Sequence, residues 1–286
     1  IQSPEADFLQ LLENENPAAV IAHYTVWGAE AVARLNIPFY QVLHNTYIWF
    51  QEEQCAEYRQ TDRFTAAYFA VSATVAWDAV ARLALPPEKI IVWENGIDYE
   101  KFFYSERLRT EQRSRLQLRG EDILIVNPAS CYGAKGQLHL IHAFAKVAPR
   151  YPHLRLIMAG KILEDHYAEK IRTVIQEHHL EKQVSFGDFC AEMNALYNAA
   201  DVVVMASFWE GCSLAVAEAV RCGCPIVSTI TGDVERQTGN VPGLLLELPV
   251  QLSELNYRNI GTLLYEPNSW LIEKLGTALE RGANGE

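Results

Sequence analysis

The chain contains no C-x-x-C pair, no G-x-S-x-G, no G-x-G-x-x-G and no His/Cys/Asp cluster at metal-ligand spacing. A zinc ribbon, a serine-hydrolase elbow and a dinucleotide fingerprint are therefore not signalled. It has no apolar run long enough to cross a bilayer and no signal peptide, which excludes a transmembrane span and leaves peripheral membrane contact open. Basic residues are scarce, 24 against 36 acids, and the net charge of −12 argues against nucleic acid as a partner. The six cysteines are scattered (Cys55, Cys131, Cys190, Cys212, Cys222 and Cys224), so reduced thiols and a cytoplasmic setting are expected. Low-complexity tracts and repeats are also missing, and 286 residues suffice to fold two α/β domains.

Against those absences stand nine short apolar runs rich in β-branched residues: 19–22, 39–43, 67–71, 90–93, 123–127, 155–159, 184–186, 202–205 and 225–228. Their alternation with helical patterns predicts parallel sheets covered by helices. The charged stretch SERLRTEQRSRLQLRG after Tyr104 reads as an amphipathic helix closed by Gly120 and separates two strand groups. The expected domains are residues 1–101, with about four strands, and residues 102–286, with five. Residues 240–260 read as a local insertion.

Four stretches could carry chemistry. The first, FWEGCSLAVAEAVRCGCPIV at 208–227, places Glu210 in a loop before a helix and Glu218 two turns inside it. Carboxyl ends of strands form the ligand crevice of open α/β sheets. Amides at 211–214 and the positive helix end suit phosphate oxygens, and Gly211 lets the backbone come close. The eight-residue step spans at most ~12 Å at helical rise, which fits a ligand with hydroxyls at both ends and phosphates between. In the plainer alternative, Glu210 is a helix-start acid and Glu218 a solvated residue. Against it, the helix looks buried on most sides, and a buried carboxylate needs partners.

The second stretch, NPASCYGAKGQLHLIHAF at 127–144, sets Gly133, Lys135 and Gly136 in a strand-to-helix turn, where amides and an ammonium could face a diphosphate. An ordinary solvent lysine is its alternative. IVWENGID at 91–98 ends in an Asn95-Gly96 turn signal, and FYQVLHNTYIWF at 39–50 ends a strand in His44 without a partner acid identifiable by spacing.

In this order the pieces resemble the retaining, nucleotide-sugar-dependent glycosyltransferases of the GT-B fold, specifically family four. Glu210 and Glu218 stand at the two positions of that family's E-x7-E signature. NGID at 95–98 is similar to its interdomain motif and Lys135-Gly136 to its K-G; LRLIMAG at 154–160, VSFGDF at 184–189, ALYNAADVVVMAS at 195–207 and TGDVE at 231–235 follow in family order. The likeness covers about residues 15 to 280.

The resemblance implies an α/β protein of two Rossmann-like parallel-sheet domains facing a cleft. The first, N-terminal domain (1–101) lies on the acceptor side and is incomplete; the second (102–286) binds the nucleotide sugar. It implies Glu210, Lys135 and His44 as catalytic residues, with Glu218 on the ribose and Glu210 and His44 on the transferred sugar. Gly211, Cys212, Ser213, Leu214, Ser130, Gly133 and Gly136 are the further donor-binding positions. No cofactor or metal is expected, since lysine and helix dipole can stabilise the departing diphosphate. The donor would be UDP- or GDP-linked and the acceptor is left open.

Three departures qualify the picture. Ser130 stands where the family commonly carries an arginine. Cys212-Ser213 replaces its Phe-Gly, altering the surface beside the sugar. The opening strand with its glycine-rich loop and the returning last helix are not found, and the chain begins with Ile1, so either a fragment or trimmed chain, or another segment that completes the cleft, is expected. A catalytically weak nucleotide-sugar-binding subunit is thus the alternative to an enzyme, with a dinucleotide-dependent enzyme a third reading.

Overall fold

Residues 4–187, 192–239 and 241–284 are described by a computed structural model. The chain divides into two compact units: residues up to Asn95 together with Glu210–Cys212, and Gly96–Trp209 together with the residues from Ser213 onward.

In the first unit four strands form one wholly parallel sheet in sequence order: β1 (Val20–His23), β2 (Phe39–Leu43), β3 (Ala67–Ala70) and β4 (Ile90–Val92). Side chains alternate between faces, so register decides what is buried. One face carries Phe39, Leu43, Tyr68 and Ala70. It is sealed by the helix Ala73–Leu83, whose Val75, Ala79 and Leu83 recur at helical spacing and join Leu43 and Tyr68 in one core cluster. That helix starts where the Ser72 hydroxyl accepts the Val75 amide. The other face carries Ile21, Tyr40, Val42, Phe69, Ile91 and Trp93. Here Ile21 is 57% exposed and Trp93 68% exposed, so this face is largely open to solvent.

The second unit holds six parallel strands: β5 (Ile123–Asn127), β6 (Leu154–Ala159), β7 (Val184–Gly187), β8 (Val202–Met205), β9 (Ile226–Thr229) and β10 (Gly243–Leu246), in spatial order β7-β6-β5-β8-β9-β10. That is the doubly wound order whose direction reverses between the first and fourth strands, here β5 and β8, and the gap above this reversal is where such sheets take ligands. Leu124, Val126, Val203, Met205, Val216 and Ala219 form the core on one face.

All nine sequence-predicted strands are present, each within one residue of its expected bounds. β10 is a tenth, inside the stretch read as an insertion; it pairs with β9 through Gly243↔Ile226 to Leu246↔Thr229. The charged stretch also differs from expectation. Its helix is Glu106–Arg115, none of its residues is buried, and it ends before Gln117, which takes a left-handed φ of 55° while Gly120 stands in open space. Arginines rather than an apolar stripe dock this helix. Arg109 donates to Asp201 and to the carbonyls of Asn198 and Ala200, and Arg113 donates to Asp201 Oδ2 at 2.9 Å. Asp201 Oδ2 also accepts the Leu124 amide at 2.7 Å, so one carboxylate joins the helix to the starts of β5 and β8.

The five cysteines among the described residues are all free thiols; Cys190 lies outside the described residues. No helix among the described residues is long and apolar enough to cross a membrane.

Removing Asp201 leaves the Leu124 amide without its acceptor and two guanidinium groups with carbonyl acceptors alone. Asp201→Ala should cost about 1–3 kcal/mol, given its partial exposure, whereas Glu192→Ala, at an exposed pair with Arg115, should cost no more than about 1 kcal/mol. Urea-denaturation midpoints with unchanged slopes check the contrast.

Candidate functional site

The site begins where β5 and β8 part. Their backbone pairing runs only through Ile125↔Val202 and Val126↔Val203, and at the next step the buried Asn127 side chain takes over, its Nδ2 donating to the Val204 carbonyl at 2.8 Å. Above this point the β5 and β8 turns lie against each other. The Phe208 amide donates to the Ala134 carbonyl at 2.8 Å, and a Cβ on Gly136 would stand 2.0 Å from the Ala206 oxygen. Gly136 also has a φ of 65°, so both space and backbone conformation require glycine there.

The β5 turn holds the predicted diphosphate loop. Residues Gly133–Lys135 form a single 3₁₀ turn, and Gly136 then opens the helix Gln137–Val147. Lys135 is half-buried, its Nζ 5.8 Å from the Tyr132 ring centroid. Ser130 is half-buried too, and its carbonyl accepts from Gln137 Nε2 at 2.9 Å. The Gly133 amide donates to Glu164 Oε2 at 3.2 Å, and the Glu164 carboxylate also receives the Tyr265 hydroxyl at 3.1 Å. Glu164 escaped the sequence reading because its approach depends on the bridge between Cys131 and Ile162, two segments far apart in the chain.

The β8 turn leads to the helix Leu214–Arg221. Ser213 caps it, its hydroxyl accepting the Val216 amide at 3.4 Å, so that amide is spent within the helix. Leu214 is exposed. The expectation of burial on most sides is corrected: only Val216 and Ala219 are fully buried, and the helix is amphipathic.

Glu218 lies on its half-buried flank, where Tyr197 donates its hydroxyl to Oε2 at 2.9 Å. Burial pushes the Glu218 carboxyl above its usual range, opposed by the Tyr197 bond and the Lys101 charge. A carboxylate among apolar neighbours does have its partner, but Tyr197 stands 21 residues upstream and only the fold makes the pairing visible.

The remaining called residues belong to the first unit. Glu210 is 8% exposed. A Cβ on Gly211 would lie 1.9 Å from the His44 carbonyl oxygen, so only glycine fits beneath that strand end. Cys212 joins the cluster of Leu43, Tyr47 and Val75, and its carbonyl accepts from Asn95 Nδ2 at 3.2 Å, so the first residue of the NGID motif anchors it. His44 follows β2, half-buried, and hydrogen-bonds His23. Burial, reinforced by His23, lowers its pKa. Of the four positions 211–214, Gly211 and Cys212 belong to the first unit, Ser213 and Leu214 to the second.

Two family models match the chain: Glycosyltransferase Family 4 over residues 3–101, and Glycosyl transferases group 1 over residues 109–247. It is similar to the mannosylfructose-phosphate synthase of Agrobacterium fabrum, 29% identical over 149 residues, 49% of this chain and 32% of that protein. It is similar also to the sulfoquinovosyl transferase SQD2 of Arabidopsis thaliana, 26% identical over 220 residues, 73% of this chain and 41% of that protein. The chain thus spans less than half the length of these curated relatives. Among solved structures, Anabaena Alr3699/HepE in complex with UDP and glucose superposes with a TM-score of 0.74 at 20% identity, over 99% of this chain and 81% of that one.

Two substitutions probe the geometry. Gly136→Ala should destabilise by at least about 2 kcal/mol through strain and clash, while Gly120→Ala, in open space, should be near neutral in denaturant melts. Because the Glu218 pKa is raised on folding, the unfolded chain loses this proton first as pH rises, and stability falls from the ordinary glutamate range up through the folded pKa. Glu218→Gln should therefore raise Tm at pH 7.5 and make little difference at pH 4.

Proposed function

Because the chain is family-four-like and has the GT-B fold, we propose that it acts as a retaining glycosyltransferase on a nucleoside-diphosphate sugar. The observation that carries this reading is the pair of mutually braced turns at the β5/β8 reversal. One bears Lys135 and the other leads to Glu218. UDP in the Anabaena relative supports a uridine donor over a guanosine one.

In the proposed reaction the anomeric C–O bond breaks with its electron pair going to the diphosphate oxygen, leaving an oxocarbenium-like sugar. The acceptor hydroxyl then adds to the anomeric carbon, and its proton passes to the departing phosphate. Charge growing on the diphosphate is met by the Lys135 ammonium and the N-terminal end of the helix Leu214–Arg221. Glu218 takes the ribose hydroxyls, a role its half-buried carboxylate suits, since hydroxyl donors would replace the water it lacks. His44 and Glu210 are assigned to the transferred sugar and Gly211 and Cys212 to the donor, on the family resemblance. No metal enters this scheme.

A second reading, a nucleotide-sugar-binding subunit with weak catalysis, is favoured by one observation. The Gly133 amide is occupied by Glu164, a carboxylate beside the loop that would carry the diphosphate, while Ser130 supplies no second cation.

A thermal-shift panel of UDP, GDP and their sugars tests the proposal. A ligand at a hundredfold its Kd adds roughly 2.7 kcal/mol, or about 5–11 °C for a domain of this size. The expected outcome is stabilisation by UDP. Lys135→Ala abolishes sugar transfer with the fold intact, and Glu218→Ala weakens nucleotide binding about 10- to 100-fold, the worth of charged hydrogen bonds. Transfer persists in EDTA. Donor binding without transfer or hydrolysis would select the second reading; no binding to any nucleotide sugar would sink both.

A further inference from the structure

The donor reading leaves His23 and Tyr24 without a role. His23 ends β1, His44 follows β2, and the register His23↔Val42 carries both rings to the same end of adjacent strands. His23 Nδ1 lies 2.7 Å from His44 Nε2. A centroid separation of 5.0 Å and an interplanar angle of 25° are the dimensions of two imidazoles meeting edge to edge, so the contact is an in-plane hydrogen bond rather than a stack. Such a bond needs one hydrogen and one lone pair, which means that at least one ring is neutral.

Tyr24 completes the arrangement. Its ring lies over His44, with centroids 4.6 Å apart and planes within 20°. Its backbone is left-handed, with φ of 59°, a conformation bulky residues avoid and one that clusters at functional sites. The strain turns the tyrosine back onto the histidine.

His23 is exposed and His44 half-buried, so any proton the pair gains is better hydrated on His23. With the charge on His23, its Nδ1 donates and His44 Nε2 accepts. We propose that His23 is a positioning residue that, with Tyr24, locks His44 as a neutral imidazole carrying its single proton on Nδ1. The lowered basicity of His44 agrees with this. Nδ1, which hydrogen-bonds no other described residue, is left as a fixed N–H donor. His44 thus offers a hydrogen bond to a ligand oxygen and is not a general base. This deepens the glycosyltransferase reading and rests on it only for the identity of that oxygen.

The test is imidazole ¹⁵N–¹H correlation NMR on the free chain at neutral pH, with the His44 signals identified by their loss in His44→Gln. We expect Nδ1 protonated and Nε2 bare in the parent chain. His23→Asn, whose Nδ2 takes the place of Nδ1, keeps this pattern; His23→Phe removes the donor and lets His44 revert to the Nε2–H tautomer that free histidine prefers. Nε2–H in the parent chain, or no change in a folded His23→Phe variant, overturns the proposal. If His23→Phe does not fold, the parent spectrum and His23→Asn still decide. The measurement uses no substrate, so failure of sugar transfer and failure of this inference are separate results.

Discussion

The closest constraint in the second unit is the approach of the Gly136 backbone to the Ala206 carbonyl, with the Phe208 amide bonded to Ala134 beside it. Two turns from different strand ends can lie this near only if one lacks a side chain. Much follows from that contact: Lys135 is held one residue before the glycine, and Asn127 beneath it replaces the ladder hydrogen bonds that diverging strands give up. Polar main chain that would otherwise be stranded at the sheet reversal is satisfied there, and the loops are fixed before any ligand arrives.

Strand positions were legible in the chain because buried parallel strands read as short β-branched runs; strand order was not, since the same alternation with helices gives sequence order in the first unit and a reversal between β5 and β8 in the second. The position of β10 was not legible either, because its three leucines at 244–246 follow Pro242-Gly243 and include none of the β-branched residues that mark the other strands. The helix Glu106–Arg115 was legible as a helix but not in its packing. Arginines reaching carbonyls and Asp201 look, in one dimension, the same as arginines facing water.

Residue types, spacing and the family resemblance singled out the two glutamates, the lysine and His44 as candidates, while the groups that bond around them stayed hidden. Tyr197 approaches Glu218 through the packing of two helices, Glu164 the Gly133 amide through loop bridging and His23 His44 through strand register, quantities that spacing along the chain does not encode. The division of positions 211–214 between the units is of the same kind. Spacing along a contiguous motif does not show that Gly211 packs under the His44 carbonyl and Cys212 in the first unit's core.

The open face of the first sheet has a colloidal consequence. Ile21, Ile91 and Trp93 present apolar area to water beside β1 and β4, edge strands whose outer backbone groups are unpaired within the described sheet, a surface prone to sticking to its like. The net charge of −12 keeps such molecules apart at low ionic strength. Added salt shortens the range of that repulsion and strengthens apolar attraction, so the isolated chain is most dispersed in dilute buffer and clusters as salt rises.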